Sequence, residues 1–496
     1  MSNSEISRRM LLTAAATGFA PRLRGEDWRS LFDGRSLAGW RASENRGSWK
    51  VTADGLLFAD GPRSHLFYEG PGGGARFRNF ELELEVKSAP GANSGVFFHT
   101  AYQEAGWPAQ GFEIQVNNTA TGEGGYRENK KTGSLYGVRN VYKAFARDQE
   151  WTKMRVVVQG KRVQAWVNGV QTVDFVEPAP PVVAGEGERG RALSEGTFAL
   201  QCHDPGSKAW YRNLRVRPLP DAAAAAAAPV VDETYRTILT LGAQNYPMVD
   251  FHTHVKGTLT LEQMQTQARR DGLFYGVAVN CGKGFQVQDD AGARAFFESM
   301  KGQSVFVAMQ AEGREWTQMF SRQAAALFDY IFTDSMTWAD NRGRRMRLWI
   351  PAEVGAIADP QEFMDTLVER AAGILDREPV DIYVNPTFLP DVLASRYDEL
   401  WTEARMRRVV EALARNQVAL ELNDRYRLPG AAFVRMAKEN GVKFTFGTNN
   451  AGAEDLRRSE YGLRMVKECG LRWQDFWMPG LWWPRAIERK GGVLRG

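Results

Sequence analysis

The chain has 496 residues, 43% of them hydrophobic and 25% charged, with a formal net charge of +4. That length exceeds one ordinary core, so two domains are expected, and the composition is that of a soluble globular protein. Arg8, Arg9, Arg22 and Arg24 against Glu5 place +3 of the charge in the first 24 residues, so the near-neutral remainder offers no electrostatic ground for a nucleic-acid or anionic-membrane partner.

SEISRRMLLTAAATGFAPRLRG sets paired arginines after a serine, then a short apolar segment, Leu11 to Ala20, ending in small residues. It reads as a twin-arginine export signal over residues 1–24, cleaved near Ala20, and implies a periplasmic or secreted protein. The segment is too short to remain as a membrane span, and nothing later approaches one. Cys202, Cys281 and Cys469 form neither a disulfide framework nor a metal spacing. A Cys281–Cys469 disulfide is left open.

Residues 25–218 are rich in glycine and in short alternating segments: WKVTADGLLFA, FELELEVKS, SGVFFHTA, FEIQVNN, WTKMRVVVQG, RVQAWVNGVQTVDFV, GTFALQCH and AWYRNLRVRPL. Each reads as strand, with Asn168-Gly169 as a type I′ hairpin turn and no convincing helix between them. Regularly spaced strands predict an all-β jelly-roll sandwich. Period-two alternation then sorts the faces. Glu113, Gln115 and Asn117 lie opposite Phe112, Ile114 and Val116. Asn93, Gly95, Phe97 and His99 share a side, as do Gln201 and His203. Amides, a carboxylate and imidazoles beside Phe97, Trp107 and Tyr136 make a sugar-binding groove the favoured reading over a plain solvated face. Asn93, Phe97, Trp107, Asn117, Tyr136 and Gln201 are its expected substrate contacts.

The segments SLFDGRSLAGW, NSGVFFHT, GFEIQVNN, TGSLYGV, WTKMRVVVQGKRVQAWVNG and LQCHDPGSKAWYRNLRV occur in order over nearly all of residues 27–218. They resemble the 3-keto-disaccharide hydrolase family. The resemblance implies a concanavalin-like jelly roll acting on 3-keto-glycosides; His99 stands where the family often has arginine. A C3 ketone acidifies the C2 proton, so a general base can form an enediolate, the C1 substituent leaves, and water adds back. Glu113 or His203 can serve as base; Gln115, His99 or a bound cation can polarise the ketone. A retaining glucanase would need two glutamates flanking an aspartate on one strand face, where this chain has Glu113, Gln115 and Asn117. A non-catalytic sugar-binding module remains the other rival.

PLPDAAAAAAAPVVDE supplies a low-complexity linker over residues 219–233. Residues 234–480 then alternate strand and helix seven times. Strands end near Phe251, Val279, Met309, Thr333, Val384, Leu420 and Phe446, which predicts a seven-stranded parallel (β/α) barrel with its chemistry at the strand carboxyl ends. Those ends deliver His252 and His254, Asn280, Glu312, Asp334, Asn385, Glu421 with Asn423, and Asn449.

DFHTH, VDIYVNPTFLP, LELNDRYRLPG and VKFTFGTNNAG, in that order, resemble the PHP family of metal-dependent phosphoesterase barrels. The resemblance implies a cluster of two or three metal ions. The family usually has histidine at the place of Asn385, and an aspartate and a histidine at the places of Asn449 and Ala451. With those ligands gone, His252, His254, Glu312 and Asp334 offer enough for one divalent ion (Zn, Mn or Ca), or for a bare shaped pocket. No organic cofactor is expected. The insertion NRGRRMRLWIPAEVGAIADP is expected to cover the barrel rim or to dock on the sandwich. The aromatic C-terminus, whose last residues 481–496 form a tail, is expected to pack on the barrel or a domain interface.

The leading expectation is therefore an exported enzyme that cleaves 3-keto-glycosides in the sandwich groove. The alternative is a sugar-binding sandwich attached to a one-metal hydrolytic barrel. Replacing both Arg8 and Arg9 with lysine is expected to abolish export, read as loss of the mature protein from the periplasmic or culture fraction.

Overall fold

The computed structural model describes residues 28–122, 126–184, 190–222, 226–339, 344–456 and 458–495. The expected export signal, residues 1–24, lies outside them. Among the described residues up to 218 there is no α-helix, and two antiparallel sheets form the first domain. One sheet runs, in spatial order, Val170–Val176, Arg162–Val167, Thr152–Gln159, Phe80–Ser88, Ala209–Pro218, Leu57–Ala59 and Trp49–Val51, with Arg29–Ser30 paired to Ala209–Pro218. The other runs Trp40–Ala42, Ser64–Tyr68, Thr197–Cys202, Asn93–Thr100 and Phe112–Asn117. Alternation places Leu82, Val86, Val156 and Val163 of the first sheet against Leu66, Val96, Ile114 and Leu200 of the second, closing one core. Asn168 and Gly169 both take positive φ, 49° and 85°, as the I′ turn between Arg162–Val167 and Val170–Val176 requires.

The second domain is a closed barrel of seven parallel strands: Val249–Thr253, Phe274–Cys281, Phe306–Ala311, Tyr330–Thr333, Ile382–Tyr383, Ala419–Asn423 and Phe444–Gly447. Helices lie between successive strands. Leu261–Asp271 opens on a capping box, with the Thr260 side chain accepting from the Gln263 amide, and stops at Gly272 with φ 81°. The stretch WTQMFSRQAAALF forms two short helices, Trp316–Met319 and Arg322–Ala325, because Phe320 turns extended and Ser321 caps the second. One helix was not anticipated: Glu233–Ala243 follows the linker, its first turn capped by Asp232 on Tyr235 N. Cys202, Cys281 and Cys469 are buried free thiols, so the Cys281–Cys469 disulfide is not formed.

The insertion after the fourth barrel strand pairs Thr337–Ala339 with Arg345–Arg347. Arg345 donates to Lys283 O and lies over the Phe285 ring, both in the loop after the second strand. It therefore covers the barrel rim. At the C-terminus, buried Trp477 packs on Phe251 and Tyr330, while Phe476 packs on Phe446.

The sandwich meets the barrel where the barrel strands begin. Tyr142 donates to Tyr246 O, Lys143 pairs with Asp329 at 2.7 Å, and Asn140 donates to Gly242 O. A further link is buried Arg139. Its guanidinium donates to Arg269 O at 2.7 Å and Arg270 O at 2.8 Å, the last-turn carbonyls of Leu261–Asp271, and to Tyr235 Oη at 3.1 Å. A cation belongs there because unpaired helix-end carbonyls carry the negative end of the dipole. Arg139→Ala is expected to lower unfolding stability by about 2–4 kcal/mol in denaturant titration, since each lost bond strands a buried carbonyl.

Candidate functional site

Each strand of the five-stranded sheet has one face in the core. On the opposite face Phe67, Phe97 and Ala199 form a small separate cluster with Tyr102. Strand register puts Phe97 beside Glu113, Gly95 beside Gln115, Asn93 beside Asn117, and Gln201 beside His65. Glu113, Gln115, Asn93, Phe97 and Gln201 thus share one surface, as alternation required.

The Glu113 carboxylate folds over Gly95. A Cβ on that glycine would stand 2.1 Å from Glu113 Oε1, so the missing side chain is what admits the acid. Gln201 Nε2 lies 3.4 Å from the same oxygen, and Gln201 Oε1 is buried without a partner. The Gln115 amide reaches Asn93 Oδ1 at 2.9 Å; with its amide turned over, its nitrogen donates to Glu113 Oε1 at 3.0 Å. Segment 132–136 pairs along the outer edge of Phe112–Asn117: Gly133 N donates to Gln115 O and Tyr136 N to Glu113 O. Leu135 and Ile114, bridged, face the core, which turns Tyr136 to the side of Glu113.

Tyr136 brings a cluster that sequence reading missed. Tyr126 Oη donates to Glu128 Oε2 at 2.6 Å and Tyr136 Oη at 3.2 Å; Lys130 lies 4.6 Å from the Tyr136 ring centre. Burial, and then the Glu128 carboxylate, push both phenols well above their ordinary range, so they stay protonated donors. Alternation cannot find this group, because Glu128 and Lys130 sit in a loop.

His203 Nδ1 pairs with Asp204 at 2.7 Å, and its ring lies tilted at 40°, 5.0 Å from Trp107. Trp107 and Tyr102 belong to loop 101–111, which lies across the face; the expected open groove is therefore covered, and Glu113 is 5% exposed. Two placements differ from expectation. His99 leaves the face: a bulge between Phe97 and Thr100, with His99 at φ 55°, turns its ring onto Phe80 and Phe98. Its Nε2 bonds Arg78 O and its Nδ1 accepts from Ser194 N, while burial pulls it down to about 4. Nothing of that ring is free to polarise a ketone. Asn117, fully buried, spends its amide on Lys130 O and its carbonyl on Ala120 N, so it shapes the loop.

At the barrel's carboxyl rim the expected residues do converge. His252 Nδ1 meets Glu421 at 2.6 Å, His254 Nδ1 meets Ala278 O at 3.0 Å, and the two rings stand 5.3 Å apart. Burial drives His254 far below its ordinary value. Burial also raises Glu312, helped by the neighbouring Asp334. The carboxylates are already satisfied by donors. Glu312 accepts from Asn280, Gln310 and Thr337; Asp334 from Asn385 and Met336 N; Glu421 from His252, Asn423 and Asn385 N. Asn449 donates to Asn385 Oδ1. In this set the two imidazole Nε2 atoms and Gln310 Oε1 are buried without a partner. Among the described residues no three His, Cys, Asp or Glu side chains are grouped to hold a metal. The donor set, as folded, does not fit an ion cluster.

A cavity of about 960 Å³ lies elsewhere, on the outer face of the eight-stranded sheet between Trp28 and Trp166. Most of its charges are paired, Glu83 with Arg215 and Glu85 with Arg212.

Residues 27–217 match the family described as the 3-keto-alpha-glucoside-1,2-lyase-like domain, a span that coincides with the sandwich. A 3-keto-disaccharide hydrolase of Bacteroides thetaiotaomicron is 25% identical over 228 residues, covering 38% of this chain and 78% of that protein. Among solved structures, the carbohydrate-binding module CBM66 of Bacillus subtilis is 14% identical, with 36% of this chain and 96% of that chain covered and a TM-score of 0.25. A Bacillus subtilis protein with a galectin-like fold is 12% identical, covering 39% and 96%, with a TM-score of 0.29.

Gly95→Ala is expected to fold but to cost about 1–3 kcal/mol in thermal or denaturant unfolding, because the methyl displaces the Glu113 carboxylate. Adding Glu113→Ala should recover most of that loss, which a double-mutant cycle would read directly.

Proposed function

We propose that the sandwich cleaves 3-keto-glycosides by elimination and hydration, with Glu113 as the general base. The observation that carries this reading is the Glu113 carboxylate itself, held over Gly95 between Gln201 and Gln115 on the sugar-facing surface. The family match over residues 27–217 and the name of the Bacteroides relative support the substrate class.

In this scheme the C2–H bond breaks and its proton passes to Glu113. The electron pair forms the enediolate, whose C3 oxygen takes hydrogen bonds from the Gln201 amide and from the Tyr136 phenol, which turns its one proton from Glu128 to the ligand. The C1–O bond then breaks, and the departing alcohol collects a proton from the His203–Asp204 pair at the edge of the site. Water adds to C1 of the enone and gives its proton back to the His203–Asp204 pair, while Glu113 returns its proton to C2. The sum is hydrolysis, with no oxidant consumed. A two-carboxylate glycosidase scheme is disfavoured: the acid's strand neighbours are Gln115 and Asn117, and Asn117 is committed to backbone. We further place the protein outside the cytoplasm, on the strength of the Arg8-Arg9 signal.

A purified protein should turn over a 3-keto-glucoside and leave the unoxidised parent intact. Glu113→Gln should lower kcat by about 10²–10⁴-fold, the usual weight of a positioned base. His252→Ala, and exposure to a chelator, should leave the rate within about twofold; a rate that falls with His252 and survives in Glu113→Gln would move the chemistry to the barrel.

A further inference from the structure

The covered face of the sandwich holds one imidazole that the elimination scheme does not use. His65 stands beside Gln201 in the register of the Ser64–Tyr68 and Thr197–Cys202 strands. Its ring is boxed by Phe97, edge-on at 5.5 Å, by Phe67 at 6.4 Å, and by Trp107, edge-on at 5.6 Å. The residue is 0% exposed, and neither Nδ1 nor Nε2 has a partner. Buried polar groups are nearly always bonded, and a phenylalanine would fill this box at no such cost. Burial, and then Arg63, pull the imidazole down to about 3, so it is neutral, with one N–H donor and one bare acceptor.

What covers His65 is a side chain with little holding it down. Trp107 is 47% exposed, and its indole rests between the His203 ring at 5.0 Å and the Arg63 guanidinium at 5.0 Å. Its backbone is pinned, since Gln103 holds both Trp107 O and Ala109 N. Gly106 and Gly111, at φ 83° and 76°, flank it. The loop can therefore stay in place while the indole turns.

We propose that His65 is the polar floor of a pyranose subsite whose movable cover is the Trp107 indole. A neutral sugar ring enters as the indole turns aside and lies against its face. A sugar hydroxyl then donates to the bare nitrogen, and a second oxygen, from across the ring or a water, accepts from the N–H. This rests on the reading of the face as a sugar site, and it assigns His65 to binding, with Glu113 kept for proton transfer.

The chain has only five histidines, so histidine-specific nitrogen-15 labelling of the full-length protein resolves each ring. His65→Phe identifies the His65 signals by their loss. Titration with methyl glucoside and with a 3-keto-glucoside should move both His65 ring-nitrogen resonances and leave those of His252 and His254 in place. In kinetics, His65→Phe and Trp107→Ala should each raise KM at least about tenfold and leave kcat within about threefold, the pattern of lost uniform binding. Stationary His65 resonances at sugar concentrations that saturate turnover, or an unchanged KM in both variants, would overturn the proposal. A wild-type protein that binds sugar at His65 but turns over no keto-sugar would instead refute the elimination scheme and uphold the subsite.

Discussion

The site depends on a vacancy of one side chain. A carboxylate on a sheet face that is covered on both sides needs room and donors, and Gly95 provides the room for Glu113. The barrel repeats the arrangement. A Cβ on Gly447 would stand 2.1 Å from Glu421 Oε1, on the adjacent strand. In each domain a buried acid is thus paid for by a neighbouring glycine, whose strand gives up a side chain it could have packed. The acids differ in what surrounds them. Glu421 is bonded to His252, Asn423 and a backbone amide, a closed set. Side-chain amides of Gln201 and Gln115 reach Glu113.

The two domains are joined at the barrel's amino-terminal end. Arg139 occupies helix-end carbonyls there, and buried Lys130 spans Glu128 in the sandwich and Asn245 Oδ1 before the first barrel strand. A buried ion pair adds little net stability but is costly to break from one side, so it fixes the docking geometry more than it strengthens it. Glu128 also receives Tyr126 and Tyr136, so the barrel's Asn245 is three hydrogen bonds away from the phenols beside Glu113. The barrel rim with His252 and His254 opens at the opposite end of its strands. The fusion therefore buttresses the sandwich site and keeps the two polar centres apart.

Where local rules governed, the residues could be read directly. Period-two alternation sorted Glu113, Gln115, Phe97 and Gln201 onto one face, and Asn168-Gly169 announced its turn. Alternation failed at His99, because one extra residue in a strand reverses every side chain beyond it. It also passed over His65, whose strand SHLFY is short and apolar enough to look like plain core. The same alternation opposes His65 and Phe67 to Leu66, which was the available signal. Tyr126, Glu128 and Lys130 had none, since a loop has no period.

By itself the sequence determined the two-domain order, the all-β sandwich, the seven-strand barrel and the row of polar residues at each candidate site. These follow from repeating patterns that any strand or helix must obey. The tertiary structure decided which of those polar groups remain available. Carboxylates in the barrel are consumed by amides from other strands, His99 is turned inward by a bulge, and Trp107 comes down over His65 from a loop. Each outcome depends on contacts between residues distant along the chain, and no local period encodes them.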